Sequence, residues 1–153
     1  MNSPIVMSFI YVSEGEVAFK NAEARVCLNL KNLLEKNNSK AVIATGGGIC
    51  NNPEAIQILK SMGKCVFLQA DEKLAADRIV REVVVDETGK LSNLPAYIAK
   101  KNPCSINEVR EVFHQFYVER TKVYSEIADV TVVMQNASKS VNTKCIIAAI
   151  EAV

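Results

Sequence analysis

The sequence predicts an α/β fold in which a parallel sheet is covered by helices on both faces. Short apolar runs of β-forming residues occupy positions 41–45, 65–69 and 130–134, and stretches with helical periodicity separate them. Continuous apolar runs of this length are typical of strands that are buried on both sides. Strands that alternate with helices form parallel sheets through right-handed crossovers, so we expect these three strands to run in one direction.

The first half of the chain carries clear helix signals on either side of the first strand. Apolar residues near helical spacing predict a helix over residues 16–36, which is followed by the strand at 41–45. Asn52 is suited to cap a second helix, and Pro53 is suited to its first position. We therefore predict that this second helix covers residues 53–62.

The second half repeats the strand and helix alternation around one irregular segment. Ser105 and Glu108 form the Ser-x-x-Glu pattern of a capping box. Weak periodicity with Gly89 and two prolines predicts a loop or lid region over residues 82–104. The predicted elements are strand 65–69, a helix from Asp71 to about Arg81, a long helix from Ser105 to about Ala128, strand 130–134 and helix 139–152.

The composition favours one domain without a strong charge bias. The 153 residues include 18 basic and 17 acidic side chains, which gives a net charge of +1, and 49% of them are hydrophobic. A chain of this length can bury one core but hardly two, so we predict a single domain over residues 1–153. No block of like charges marks a surface for nucleic acid or an anionic membrane, and neither partner is expected.

The cysteines and the N-terminal residues predict a cytoplasmic protein. The five cysteines are odd in number, widely spaced and without a Cys-x-x-Cys pair, which disfavours both a disulfide framework and a zinc site. The first twelve residues have no basic region, and their apolar run is too short to span a membrane. We therefore expect reduced thiols, no signal peptide and no membrane helix.

A glycine triplet, Gly46 to Gly48, ends the first predicted strand. Ligands in parallel sheets bind beyond the carboxyl ends of the strands. Glycines without a Cβ can take positive φ and bring their N–H groups close to a ligand hydroxyl or phosphate. A tight turn explains an isolated triplet equally well, so this pattern alone leaves both interpretations open.

Three segments in combination resemble the motifs of the shikimate kinase family. They are IYVSEGEVAFKNAE at 10–23, VIATGGG at 42–48 and ERTKVYSEIADV at 119–130, in the family's order and approximate spacing. The resemblance extends from about Ile10 to the C-terminus. It implies a P-loop fold similar to adenylate kinase, which transfers the γ-phosphoryl of ATP, with Mg²⁺, to the 3-hydroxyl of shikimate in chorismate biosynthesis.

The same resemblance implies a set of substrate-binding residues. Gly46, Gly47 and Gly48 look like shikimate contacts. Arg120 matches the arginine that grips the shikimate carboxylate, a task suited to a planar fork of donors. Alternatively, Arg120 is a solvated helix charge that pairs with neighbouring glutamates.

Lys20 stands where the family usually has a second carboxylate-binding arginine. Lysine keeps the charge but loses the bidentate geometry, and the resemblance makes Glu23 its orienting partner. An ordinary surface pair of residues three apart on a helix is the alternative interpretation of Lys20 and Glu23.

The chain also departs from the family pattern. It contains no G-x-x-x-x-G-K-[ST], the loop on which phosphoryl transfer in this fold depends, and the family's first strand has no counterpart. The Arg-Pro of the family's lid falls on Leu94-Pro95 or, in a shifted register, on Thr88-Gly89, and neither pair supplies an arginine. Arg78 and Arg81, on the helix that leads into the lid, are candidate nucleotide contacts near adenine, although a solvated helix face is an equal alternative.

Two functions therefore remain open. One is a shikimate kinase whose phosphate-binding segment lies outside this chain, and the other is a degenerate kinase-like protein that binds a small carboxylate or nothing. Without the family's first strand, we expect an exposed sheet edge that favours self-association, partly covered by residues 5–12.

Overall fold

The structure is a computed structural model that describes the backbone of residues 4–153 and the side chains of residues 13–153. It contains two compact units, which we call the N-terminal unit (residues 1–65) and the C-terminal unit (residues 66–153). The side chains of residues 5–12, predicted to cover a sheet edge, lie outside the described residues. Within the described part, no helix has the length and apolar character needed to cross a bilayer.

The N-terminal unit is built from two helices, α1 (Pro4–Lys36) and α2 (Pro53–Met62). Helix α1 is kinked at Gly15, whose φ of 85° and ψ of 176° are not helical. A positive φ is accessible to glycine at little steric cost. The helical stretch after the kink therefore starts at Glu16, where the sequence predicts a helix to begin.

Small side chains form the contact between α1 and α2. Ala24, Cys27 and Ala55 are buried, and Ala55 has no exposed surface. Ile49, Ile58 and Leu59 pack around this cluster. Residues of this size let two helix backbones come close together, so the core of the N-terminal unit is compact but small.

The predicted strand at residues 41–45 is not formed, so this prediction is wrong. The side chain of Val42 is fully exposed, and that of Ile43 is 38% exposed. A strand requires a neighbour for its backbone N–H and C=O groups, and no strand of the described residues pairs with this segment. The predicted three-stranded sheet is consequently reduced to two parallel strands.

The C-terminal unit contains that sheet and four helices. The elements are β1 (Val66–Gln69), α3 (Glu72–Glu82), β2 (Val84–Val85), β3 (Leu91–Ser92), α4 (Ala96–Ala99), α5 (Ile106–Ile127), β4 (Val130–Val133) and α6 (Lys139–Glu151). Strands β1 and β4 pair in parallel, with Val66 opposite Val130, as the alternation of strands and helices predicts. Val130 and Val132 of β4 are buried, and elsewhere in the unit Ile98 of α4 and Val109 of α5 have no exposed surface.

The capping residues begin their helices where the sequence predicts. Asp71 Oδ1 accepts a hydrogen bond from the Leu74 N–H at 2.9 Å, which starts α3. Ser105 Oγ accepts from the Glu108 N–H at 3.2 Å, which starts α5. The Glu108 carboxylate accepts in turn from the Cys104 N–H at 2.8 Å, so both side chains of the pattern satisfy N–H groups at the start of the helix.

The predicted loop over residues 82–104 is more regular than expected. It contains the antiparallel hairpin of β2 and β3, and helix α4 follows. Asp86 Oδ1 holds the hairpin turn by accepting from the N–H groups of Thr88 and Lys90, at 2.9 and 3.0 Å. Gly89 adopts a φ of 83° in the same turn. The Asp-x-x-Gly spacing is a turn signal, and it explains why a hairpin forms here.

Candidate functional site

The glycine triplet forms a tight turn in front of α2. Gly46 is extended, with φ −68° and ψ 147°, and Gly47–Asn51 wind into a 3₁₀ helix. The Ile49 N–H donates to the Gly46 carbonyl at 3.1 Å. Neither Gly46 nor Gly48 takes the positive φ that the sequence suggests, because the 3₁₀ winding turns the chain with negative φ. A Cβ on either residue would meet nothing within 4 Å, so the space in front of the turn is open.

Lys20 and Glu23, one helical turn apart on α1, have different partners. Lys20 Nζ forms an ion pair with Glu16 Oε1 at 2.8 Å. Glu23 Oε2 instead accepts a hydrogen bond from Asn52 Nδ2 at 2.9 Å. The predicted pairing of Lys20 with Glu23 is therefore wrong in the structure. A glutamate four residues before a lysine lies well placed on a helix to take the lysine as its partner.

Asn52 has a role in this site beyond the helix cap that the sequence predicts. Its side chain is buried, with 4% of the residue exposed. Nδ2 donates to the Lys20 carbonyl and to Glu23, both at 2.9 Å. Oδ1 accepts from the Ala55 N–H at 3.2 Å, which is the predicted cap of α2. The side-chain amide thus joins α1 to α2, and the backbone N–H of Asn52 binds the end of the glycine turn by donating to the Ile49 carbonyl. Only the capping bond has a signal in the sequence.

Arg120 on α5 lies against aromatic rings. Its guanidinium carbon is 5.1 Å from the centre of the Tyr97 ring and 5.6 Å from that of Phe116. The two rings pack on each other with 4.7 Å between their centres. Burial raises the pKa of the Tyr97 hydroxyl, and the charge of Arg120 opposes this shift. Arg120 is thus stacked by cation–π contacts, unlike the solvated helix charge of the alternative interpretation.

Arg78 and Arg81 are exposed on α3. Arg78 lines a groove of about 430 Å³ between α3 and the residues that precede α4. Asn93, in the same groove, donates from Nδ2 to the Glu82 carbonyl at 2.7 Å, which ties the two walls together. The nucleotide contacts predicted for the two arginines remain a prediction.

Helices α3 and α5 are joined by two polar contacts. Arg110 Nη2 lies 2.7 Å from Asp77 Oδ1, and His114 Nδ1 lies 2.6 Å from Glu72 Oε1. The hydrogen bond from Arg110 lowers the pKa of Asp77 below its ordinary value. These contacts satisfy charges on the helix surface and hold α3 against α5.

The residues present do not fit Mg²⁺·ATP. No G-x-x-x-x-G-K-[ST] occurs among the 153 residues, so the chain does not supply the lysine and the hydroxyl of such a loop. In the part of the chain that the structure describes, no three His, Cys, Asp or Glu side chains come together as metal ligands.

The site residues fall into two sets. Lys20, Glu23 and the glycine triplet share the N-terminal unit, where Asn52 connects them. Arg78, Arg81 and Arg120 belong to the C-terminal unit. The predicted cleft shared by Arg120 and the triplet remains a prediction.

Comparison with known proteins decides the family. The family described as Shikimate kinase matches residues 5–151. The chain belongs to the shikimate kinase family. Its α/β architecture with a small parallel sheet agrees with the P-loop kinase fold of that family.

Curated shikimate kinases show the same relation. Those of Francisella tularensis subsp. novicida U112 and subsp. holarctica OSU18 are each 30% identical to this chain over 132 residues. The shikimate kinase of Francisella philomiragia subsp. philomiragia ATCC 25017 is 29% identical over 132 residues. These alignments cover 86% of the chain and 64% of each relative, so the chain spans less than two thirds of their length. No solved structure matches it.

Proposed function

We propose that this chain carries the shikimate-binding residues of a cytoplasmic kinase that phosphorylates the 3-hydroxyl of shikimate with ATP, in the chorismate pathway to aromatic amino acids. The observation that carries the proposal is the polar cluster of the N-terminal unit. There, Asn52 binds the Lys20 carbonyl and the Glu23 carboxylate at the end of the glycine turn. Family membership supports this assignment, because the matched range, residues 5–151, includes this cluster.

The cluster suits a small ligand with one carboxylate and several hydroxyls. Lys20 supplies a cation, and the Glu23 carboxylate supplies acceptors for hydroxyl groups. Neither positive φ nor internal packing requires glycine at positions 46 and 48. Close approach of a ligand to the backbone gives a reason for these glycines, because a Cβ would block the N–H groups.

Arg120 is suited to the carboxylate for a separate reason. Its guanidinium carbon lies over the rings of Tyr97 and Phe116, a cation–π contact that uses none of its N–H donors. The N–H groups at its edge lie in the plane of the guanidinium, where they can form two parallel hydrogen bonds with a carboxylate. The aromatic rings thus restrict the arginine without consuming its donors.

Phosphoryl transfer requires more than this chain supplies. The step depends on backbone amides and a lysine around the β- and γ-phosphates and on a hydroxyl that places Mg²⁺. Because no G-x-x-x-x-G-K-[ST] occurs among the 153 residues, we expect the chain by itself to bind shikimate without turning it over. The same observation favours a second function, a non-catalytic protein that binds a small carboxylate.

The test is calorimetry of the purified chain with shikimate and with Mg²⁺·ATP separately, followed by an assay of ADP release. We expect weak shikimate binding, which Arg120→Ala abolishes, and no ATP binding. Lys122→Ala is the matched control, because it removes a cation from an exposed position on the same helix. Micromolar ATP affinity with shikimate-dependent ADP release would overturn the expectation for the isolated chain. Binding of other small carboxylates in preference to shikimate would favour the non-catalytic function.

A further inference from the structure

We infer that Asn52 is the positioning residue of the shikimate site in the N-terminal unit, where its amide fixes the Glu23 carboxylate and the end of the glycine turn in one geometry. The choice of shikimate as the ligand rests on the proposed function. The hydrogen bonds of the Asn52 amide do not depend on that choice.

Asn52 is held by its backbone as well as by its side chain. Its N–H donates to the Ile49 carbonyl at 2.9 Å, which closes the 3₁₀ helix that begins at Gly47. Its amide forms three further hydrogen bonds, to Lys20, Glu23 and Ala55. At 4% exposure, water cannot readily replace a lost partner, so a change at this residue should displace the turn and Glu23 together.

Glu23 is held through one oxygen only. Asn52 Nδ2 donates to Oε2, and within residues 13–153 the structure shows no hydrogen-bond partner for Oε1. A carboxylate fixed in this way offers its second oxygen to a ligand hydroxyl without a further loss of rotamer freedom. This is the physical reason why the position of the amide should influence ligand affinity.

The charges around Glu23 are simple enough to interpret a titration. Lys20, one turn before it on α1, is paired with Glu16. Cys27, one turn after it, is buried, and burial together with the charge of Glu23 raises the pKa of its thiol. Among the described residues, α2 contributes no ionised partner to Glu23. Any new pH dependence in a variant of Asn52 can therefore be assigned to the contact with Glu23.

The decisive variant is Asn52→Asp, which has almost the same shape. One carboxylate oxygen still accepts from the Ala55 N–H, but the other replaces the donor that faces Glu23 Oε2 at 2.9 Å. Two carboxylates at this distance cannot both ionise, so the folded variant retains a proton that the unfolded chain has already released at about pH 4. The shared pKa is raised on folding. Stability is thus present at low pH and is lost as pH rises through the raised value.

We expect Asn52→Asp to unfold at a clearly lower temperature at about pH 8 than at about pH 5, and to bind shikimate about tenfold more weakly at the higher pH. If Asn52→Asp is unfolded at about pH 8 and refolds at about pH 5, the expected loss of stability at higher pH is also confirmed. Asn21→Asp is the matched control, since it makes the same charge change at an exposed position of α1. It should show neither effect.

A rescue variant separates positioning from general damage. When Asn52→Asp is combined with Glu23→Gln, the introduced glutamine amide can donate to the introduced carboxylate, so the hydrogen bond returns with reversed polarity. We expect the pH dependence of unfolding to disappear and part of the shikimate affinity to return. Asn52→Ser, which can still cap α2 but cannot reach Glu23, should weaken shikimate binding at every pH.

The outcomes separate this inference from the proposed function. If Asn52→Asp unfolds with the same pH profile as Asn21→Asp, the contact with Glu23 is absent and the inference is overturned. The inference also fails if the pH signature appears but Asn52→Asp and Asn52→Ser bind shikimate as tightly as the natural sequence. If the natural sequence binds no shikimate while the pH signature and its rescue appear, the proposed function fails and the amide contact is upheld.

Discussion

Each of the two units is stabilised internally by a different kind of contact. In the N-terminal unit, the buried side chains are the small ones of Ala24, Cys27 and Ala55, and one buried amide connects the segments. In the C-terminal unit, two strands pair in parallel, and the fully buried side chains are the larger, branched ones of Ile98 and Val109. A small core stabilises little, so the N-terminal unit depends more strongly on directional polar contacts.

The same contrast applies to the irregular segments of the two units. Residues 41–45 of the N-terminal unit are irregular and exposed, without a strand that pairs with them among the described residues. Residues 82–104 of the C-terminal unit contain their own hairpin, with a turn held by Asp86. A segment that contains two strands can pair the N–H and C=O groups of one strand with those of the other. A single strand needs a partner from a distant part of the chain.

The largest effect should come from the core of the C-terminal unit. Ile98→Ala removes a fully buried side chain and should destabilise this unit by about 2–5 kcal/mol, because the cavity cannot collapse completely. Urea denaturation followed by circular dichroism measures the loss. Val118→Ala, at a residue that is 53% exposed on α5, should change stability little. Equal effects of the two substitutions would contradict the core that the structure shows.

A smaller effect should follow from removing the ring next to Arg120. Tyr97→Leu takes away one of the two cation–π contacts and should weaken shikimate binding by a few-fold, in line with about 0.5–1 kcal/mol per contact. Calorimetry of the variant measures the change. Tyr97→Phe keeps the ring and should bind as the natural sequence does. If both variants lose affinity equally, the hydroxyl and not the ring would be responsible.

The smallest effect should come from Asp86, whose exposed carboxylate lies in the hairpin turn of the C-terminal unit. Hydrogen bonds from Thr88 and Lys90 lower the pKa of Asp86 below its ordinary value of 3.8. Because the folded pKa is the lower one, the carboxylate stabilises the fold above about pH 4, and this contribution is lost as pH falls further. Asp86→Asn should therefore lower the unfolding temperature slightly at neutral pH and not at all in strong acid. A difference that grows in acid would have the wrong sign.

Local chemistry explains which predictions from the sequence are confirmed. The caps at Asp71 and Ser105 depend only on residues three positions away, and both capping hydrogen bonds are present in the structure. The strand at 41–45 depends on a partner that local sequence does not specify, and it is not formed. In the candidate site as well, a contact between residues far apart in the sequence could not be predicted. Glu23 and Asn52 are 29 residues apart, and no pattern in the sequence connects them.

The order of two residues also influences how the N-terminal unit would age in solution. Asparagines convert to aspartate when the backbone nitrogen of the following residue attacks the side-chain carbonyl, a step that requires an N–H at that nitrogen. Asn52 is followed by Pro53, whose ring nitrogen carries no hydrogen. The usual succinimide route is therefore closed at a buried asparagine whose conversion would set a second carboxylate against Glu23. Exposed asparagines such as Asn38, which precedes Ser39, have no such protection, and spontaneous deamidation should accumulate there first.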